Sequence, residues 1–179
     1  MQRFDPIPYL QDIPITDRKV RCVTCDPNNA NLVYIGLPKG QGRLFEGIQC
    51  STDGGMTWVE RNTGLPASFT PSAIAMRDAQ HIVLGLDPLT SDDQTIYYWN
   101  VNQWTAAWIV GDKRGFRVTD LKWDPQPGNV AVIYASSDKV ASGGNSNYIG
   151  VYKSEDYGHS WVQIGLDFLN VSSIIYTKQ

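Results

Sequence analysis

Asp87, Asp92, Asp93 and Asp138 fall in turn-rich segments and are the side chains whose type could most directly do chemistry. Two carboxyl groups facing each other across a cleft, roughly 5–10 Å apart, can cleave a glycosidic bond, one as acid and the other as base or nucleophile. No spacing in the chain pairs these four, so solvation at the surface is their expected role. Two further acids, Asp53 and Asp156, sit in "STDGGMTW" (Ser51 to Trp58) and "SEDYGHSW" (Ser154 to Trp161). Both segments read Ser-x-Asp-x-Gly-x-(Thr or Ser)-Trp, with the acid in the turn of a hairpin. There a carboxylate accepts backbone N–H groups, glycine supplies a turn shape that other residues resist, serine ties the strand end and tryptophan anchors the return strand. These eight residues, Ser51, Asp53, Gly55, Trp58, Ser154, Asp156, Gly158 and Trp161, therefore read as structural staples, and no catalytic residue is assigned.

Other reactive types are isolated. Cys22 and Cys25 lie in "KVRCVTCDP", which alternates like a strand and sends positions i and i+3 to opposite faces. A redox pair would need a helix N-terminus and a zinc site two further ligands, so Cys22, Cys25 and Cys50 read as small strand residues. His81 and His159 have no evident ligand partners, and "GLPKGQGR" lacks the Gly-Lys-Ser/Thr ending of a phosphate loop. "NVS" at Asn170 matches a glycosylation sequon but opens a predicted strand. No metal or cofactor is expected. A formal charge of −3 without a Lys/Arg run argues against nucleic acid, and no apolar run reaches the ~20 residues of a membrane-spanning helix. The N-terminal "MQRFDPIPYLQD" carries prolines and Asp5 where an export signal would be apolar, so no such signal is visible.

The elements that would position these residues are strands. Short runs recur in sets of four: "KVRCVTC", "NLVYIGL", "RLFEGIQC" and "TWVERN", then "SAIAMRD", "HIVLGLD", "TIYYWNV" and "TAAWIVG", then "RVTDLKW", "VAVIYAS", "YIGVYKS" and "SWVQIG". The first and third sets align through an Asp-Pro turn, an apolar-Tyr-apolar second strand and the tryptophan-ended hairpin. Starts near Val20, Pro71, Val118 and Val171 give a period of about 50 residues, the range of four-stranded propeller blades. The chain thus reads as all-β: residues 1–18 an N-terminal extension available as an outer strand, 19–66 a first blade, 67–116 a degenerate second, 117–169 a third, and 170–179 the inner strand of an incomplete fourth. Trp58, Trp104 or Trp108, and Trp161 are expected to fill the gap between outer strands.

The two hairpins resemble the Asp-box, or BNR, repeat of sialidases, xyloglucan-cleaving glycoside hydrolases, sortilin-type receptors and photosystem assembly factors. The unit "DPNNANLVYIG … GIQCSTDGGMTWVERNTGLP" is most similar to the repeats of the last three. The resemblance, over about 19–179, implies a β-propeller with the boxes on the rim, away from any substrate, and leans towards a secreted or periplasmic setting. The sialidase Phe/Tyr-Arg-Ile-Pro segment is not reproduced by "MQRFDPIP", and the arginines form no assignable triad.

Successive turns of an antiparallel blade alternate between two ends. The loops between second and third strands, "LPKGQGR", "DPLTSDDQ" and "SSDKVASGGNSN", therefore share the face opposite the boxes with the returns "NTGLPASFTP" and "GDKRGF". Loops of this kind suit recognition, which selects Lys39, Gln41, Arg43, Asp92, Asp93, Arg114, Phe116, Lys139, Asn145 and Asn147 as the candidate binding face. About three and a half blades are written where propellers have four to eight. The propeller is therefore partial or completed by oligomerisation: the chain is a piece of a longer one, or its bare sheet edges and blade faces invite a second copy or other subunits to complete the ring. The function expected is binding or scaffolding, with carbohydrate a candidate ligand; the alternative is a fragment of a secreted glycoside hydrolase, with Trp99 and Trp104 as a sugar platform.

Overall fold

The computed structural model describes residues 19–42, 45–139, 148–167 and 169–175. Those residues form strands and turns and no α-helix. Arg43, Asn145, Asn147 and the N-terminal extension lie outside the described residues.

The first sheet runs β1 (Cys22–Asp26), β2 (Asn29–Gly36), β3 (Ile48–Ser51) and β4 (Val59–Glu60) in that spatial order, antiparallel throughout. The second repeats the meander with β5 (Thr70–Asp78), β6 (His81–Asp87), β7 (Ile96–Asn100) and β8 (Gln103–Ala106). The short β9 (Trp108–Ile109) then leaves that sheet. The third comprises β10 (Arg117–Trp123), β11 (Ile133–Asp138), β12 (Val151–Ser154) and β13 (Ser160–Gly165), with β9 added in parallel at its outer edge. These are propeller blades, each an up-and-down sheet stacked on the next.

The middle blade shows why the sequence folds this way. Its strands have two apolar faces, because a blade between neighbours is covered on both sides. On β5, Ile74 and Met76 join a core shared with the first blade, while Ala73 and Ala75 join one shared with the third. On β6, Ile82, Leu84 and Leu86 point to the first blade and Val83 to the third. Gly85 permits a close approach: a Cβ there would lie 2.5 Å from that of Val118 on β10. Register shifts between Val118 and Asp120 and between Pro71 and Ala73 mark β-bulges in the inner strands.

"TAAWIVG" was expected as one fourth strand and is divided between two sheets. The N–H of Ala107 still bonds Ile96 at 2.9 Å, but those of Trp108 and Val110 bond the carbonyls of His159 and Trp161, both at 2.9 Å. Ile109 is thereby buried in the core between blades, and β13 loses a bare edge. Trp104, not Trp108, is the tryptophan enclosed in the second blade; Trp108 is exposed. Trp99 meets Trp104 edge-on at 5.3 Å, so this pair packs core and offers no open platform.

Beyond β13, residues 169–175 form no strand but lie against the third blade. The N–H of Val171 bonds Ser137 at 3.0 Å, Thr119 donates to the Val171 carbonyl, and the N–H of Ile174 bonds Asp120 at 3.1 Å.

Candidate functional site

At one end of the blades lie the two tryptophan-ended hairpins, with the same internal bonds. Ser51 Oγ accepts from the N–H of Gly55 at 2.8 Å and donates to Asp53 at 2.7 Å; Ser154 Oγ accepts from Gly158 at 2.9 Å and donates to Asp156 at 2.7 Å. Asp53 accepts from the N–H of Thr57 at 2.9 Å and its hydroxyl at 2.5 Å; Asp156 takes the same two bonds, at the same lengths, from Ser160. Each indole N–H returns to the glycine carbonyl, Trp58 to Gly55 at 3.1 Å and Trp161 to Gly158 at 2.9 Å.

These bonds set the acidity of both carboxyls. The Thr57 hydroxyl and N–H and the Ser51 hydroxyl lower Asp53 to about 2. At Asp156 partial burial pulls upward, but donors from Ser160 and Ser154 outweigh it and hold the group below the ordinary carboxylate range. An acid so stabilised as its anion is poorly suited to donating a proton at neutral pH. Within each hairpin these bonds tie the strand end, the turn and the returning strand together.

The opposite end carries the loops. Ser91 and Asp92 from the β6–β7 loop, Asp112 and Arg114 from the β9–β10 return, and Tyr148 ahead of β12 line a pocket of about 380 Å³. The loops of the second blade are tied together beneath it, since the N–H of Gly115 bonds the Asp93 carbonyl at 3.1 Å. Arg114 forks onto Asp112 Oδ1, with Nε at 2.8 Å and a terminal nitrogen at 2.7 Å. The ammonium of Lys113 stands 5.9 Å from the Tyr148 ring centre. The pocket thus offers a guanidinium, two carboxylates, a serine hydroxyl and a phenol within one concavity.

Of the predicted binding face, Asp92 and Arg114 meet in this pocket. Asp93 supports it from behind, its Oδ2 accepting the N–H groups of Leu89 and Thr90 at 2.7 and 2.8 Å. Lys39 lies elsewhere, 3.3 Å from Glu60. Gln41 is exposed, its N–H on Glu46, and Lys139 is exposed with its N–H on Asn170. Phe116 is not on the surface: it is fully buried and stacks on Tyr152 at 4.8 Å, because the residue entering β10 faces the core between blades. Ser91, Asp112 and Tyr148 were missed. Ser91 and Asp112 lie within segments singled out and Tyr148 borders one, but only the stacking of blades brings the three together.

The remaining acids are placed by strand ends. Asp138 closes β11 and receives Arg117 through Nε at 2.8 Å and through a second, shorter bond from a terminal nitrogen. Asp87 occupies the matching end of β6; burial raises its carboxyl, opposed by the charge of Arg117. Burial pushes the Cys22 thiol up to about 12, which disfavours thiolate chemistry. Among the described residues no three His, Cys, Asp or Glu side chains converge as a metal site.

No family model matches the chain, and no curated protein matches it in sequence. Solved structures do match its fold. An ancestral GH74 enzyme aligns with a TM-score of 0.58 and 21% identity over 83% of this chain and 19% of its own. The GH74 xyloglucanase from Xanthomonas campestris aligns with a TM-score of 0.56 and 19% identity over 78% of this chain and 20% of its own. The chain thus spans about a fifth of the length of these enzymes, and the likeness is one of fold.

Proposed function

We propose that this chain is a non-catalytic arc of an Asp-box β-propeller that binds a hydroxyl-rich ligand, a carbohydrate, in the pocket between its second and third blades. The observation that carries this is the convergence of Asp92, Asp112, Arg114 and Tyr148 in about 380 Å³. Carboxylates accept from sugar hydroxyls, the guanidinium fork donates to their oxygens, and an aromatic ring lies against the C–H face of a pyranose. The Asp112–Arg114 pair also holds its own charges neutral, which suits an uncharged ligand.

Further blades complete the ring, from a longer chain, from a second copy or from other subunits; for this chain on its own the reading is association. Val23 on the outer face of the first blade is 64% exposed and Ile164 on that of the third is 52% exposed, although the equivalent faces between blades are closed cores. Light scattering should find an assembly larger than one chain. A stable, soluble single chain would overturn this part of the proposal.

A second reading, a piece of a glycoside hydrolase, is favoured by two observations: the GH74 neighbours, and Asp87, a carboxyl raised by burial as a general acid must be. Titration with xyloglucan, cello- and sialyl-oligosaccharides, followed by NMR and by product analysis, separates the two. Binding that Arg114→Ala abolishes, with no cleavage, supports the first reading. Cleavage lost in Asp87→Asn supports the second, and neither binding nor cleavage would remove both.

A further inference from the structure

Two of the three tryptophans at the outer strands are enclosed by chain arriving from the blade before. Around Trp161 the cover is β9: the N–H groups of Trp108 and Val110 bond the carbonyls of His159 and Trp161, both at 2.9 Å, and Ile109 between them is buried. Around Trp104 it is the return from the first blade: the Trp104 N–H bonds the Thr63 carbonyl and its indole the Arg61 carbonyl, both at 2.8 Å. Trp58, the third, has no such cover among the described residues and is only half-buried. The repeat aligns Met56 with His159 and Trp58 with Trp161, yet no N–H group of the described residues bonds the carbonyl of Met56 or Trp58. The edge of β4 is thus open where the edge of β13 is filled, and Met56 beside it is exposed.

In both closed cases the covering chain leads directly into the inner strand of the blade it covers, β5 or β10. The inner strand of the first blade is β1, so the matching chain is the sequence ahead of it. Ile109 stands nine residues before Val118; ten residues before the aligned Val20 stands Leu10, in "PYLQD". There Tyr9, Leu10 and Gln11 follow one another as aromatic, aliphatic and third residue, as Trp108, Ile109 and Val110 do in "AWIVG". The two positions that must donate carry N–H groups, and the prolines, Pro8 and Pro14, fall outside them. We propose that residues 9–11 of the same chain add to the first sheet as a fifth strand parallel to β4. The N–H groups of Tyr9 and Gln11 bond the carbonyls of Met56 and Trp58, and Leu10 lies against the Trp58 indole. A terminal segment held by two hydrogen bonds opens locally, so Trp58 stays far less protected than Trp161. This strand uses no residue of the carbohydrate pocket and stands whether or not further blades complete the ring.

The test is NMR of the isotopically labelled full chain. Proton contacts should join Leu10 to Thr57 and Trp58. The amides of Tyr9 and Gln11 should exchange about fivefold or more slowly than those of Gln2 and Arg3, the protection that one hydrogen bond gives. Gln11→Pro removes one donor ahead of every described strand, so the blades still fold. It should erase the Leu10 contacts, shift the Trp58 indole signal and speed the exchange of that indole about fivefold. Gln2→Pro should change none of these. In a mixture of labelled and unlabelled chains the contacts should stay within one chain. Contacts between chains would give the edge of β4 to a second copy and overturn the proposal. No contact from Leu10 to Thr57 or Trp58 in the parent chain, or a Trp58 indole indifferent to Gln11→Pro, would overturn it as well.

Discussion

The hairpins Ser51–Trp58 and Ser154–Trp161 share a hydrogen-bond pattern and differ in what surrounds them. Trp161 is fully buried among Val83, Ile109 and Phe116, and a Cβ added to Gly158 would stand 2.5 Å from Val83 Cγ2 of the preceding blade. Trp58 is only half-buried, and a Cβ at Gly55 would meet nothing nearer than Trp58 itself at 3.6 Å. The local sequence therefore makes the staple in either setting, while the neighbouring blade decides what it contributes to stability. Among the described residues, the hairpin of the first blade leaves open the side that the hairpin of the third blade packs against its neighbour.

That contrast can be broken most forcefully at the indoles. Trp161→Ala should destabilise the chain by about 3–5 kcal/mol, and Trp58→Ala by about 1 kcal/mol, in urea titrations followed by circular dichroism. Comparable losses would erase the distinction. The glycines come next. Gly158 has φ +87° and Gly55 φ +96°, so alanine strains both, by about 1–2 kcal/mol. Only Gly158→Ala adds the clash with Val83, for a total of about 3 kcal/mol.

Acid sharpens the comparison further. Both carboxyls are lowered in the folded state, so each contributes stability that is fully present above the unfolded value near ~3.9 and lost as pH falls through the folded one. For Asp53 that window closes at about 2. Urea midpoints of the parent chain and of Asp156→Asn should therefore lie apart at pH 7 and converge below about pH 4. Parallel curves would deny the carboxylate its role. The smallest effect belongs to the loop face, where Arg114→Ala should alter stability by no more than about 0.5 kcal/mol, because the pair it breaks with Asp112 is exposed. A large loss would turn the pocket into a structural element.

Much of this architecture was legible in the residues. The continuous apolar run of "HIVLGLD", covered on both faces, and the alternation of "RVTDLKW" and "SWVQIG" mark β6, β10 and β13 at their observed bounds. Where a strand is divided by tertiary contacts the pattern carries no trace. Nothing in "TAAWIVG" tells that Ala107 bonds its own blade and Trp108 the next. Loop residues are least legible, since polarity selects Asp93 and Lys39 as readily as Asp92 and Arg114. The turn residues around Phe116 point to a loop face, and it is buried because β10 begins one residue later. Ser91, Asp112 and Tyr148 come from three separate segments, and only stacked sheets make them neighbours.

Hydrogen exchange of the two indole N–H groups tests most directly whether consecutive blades stack with the third hairpin sealed against its predecessor. Trp161 should exchange only with global unfolding, and Trp58, through local opening, many-fold faster. Trp161 exchanging as fast as Trp58 would contradict the stacked arrangement.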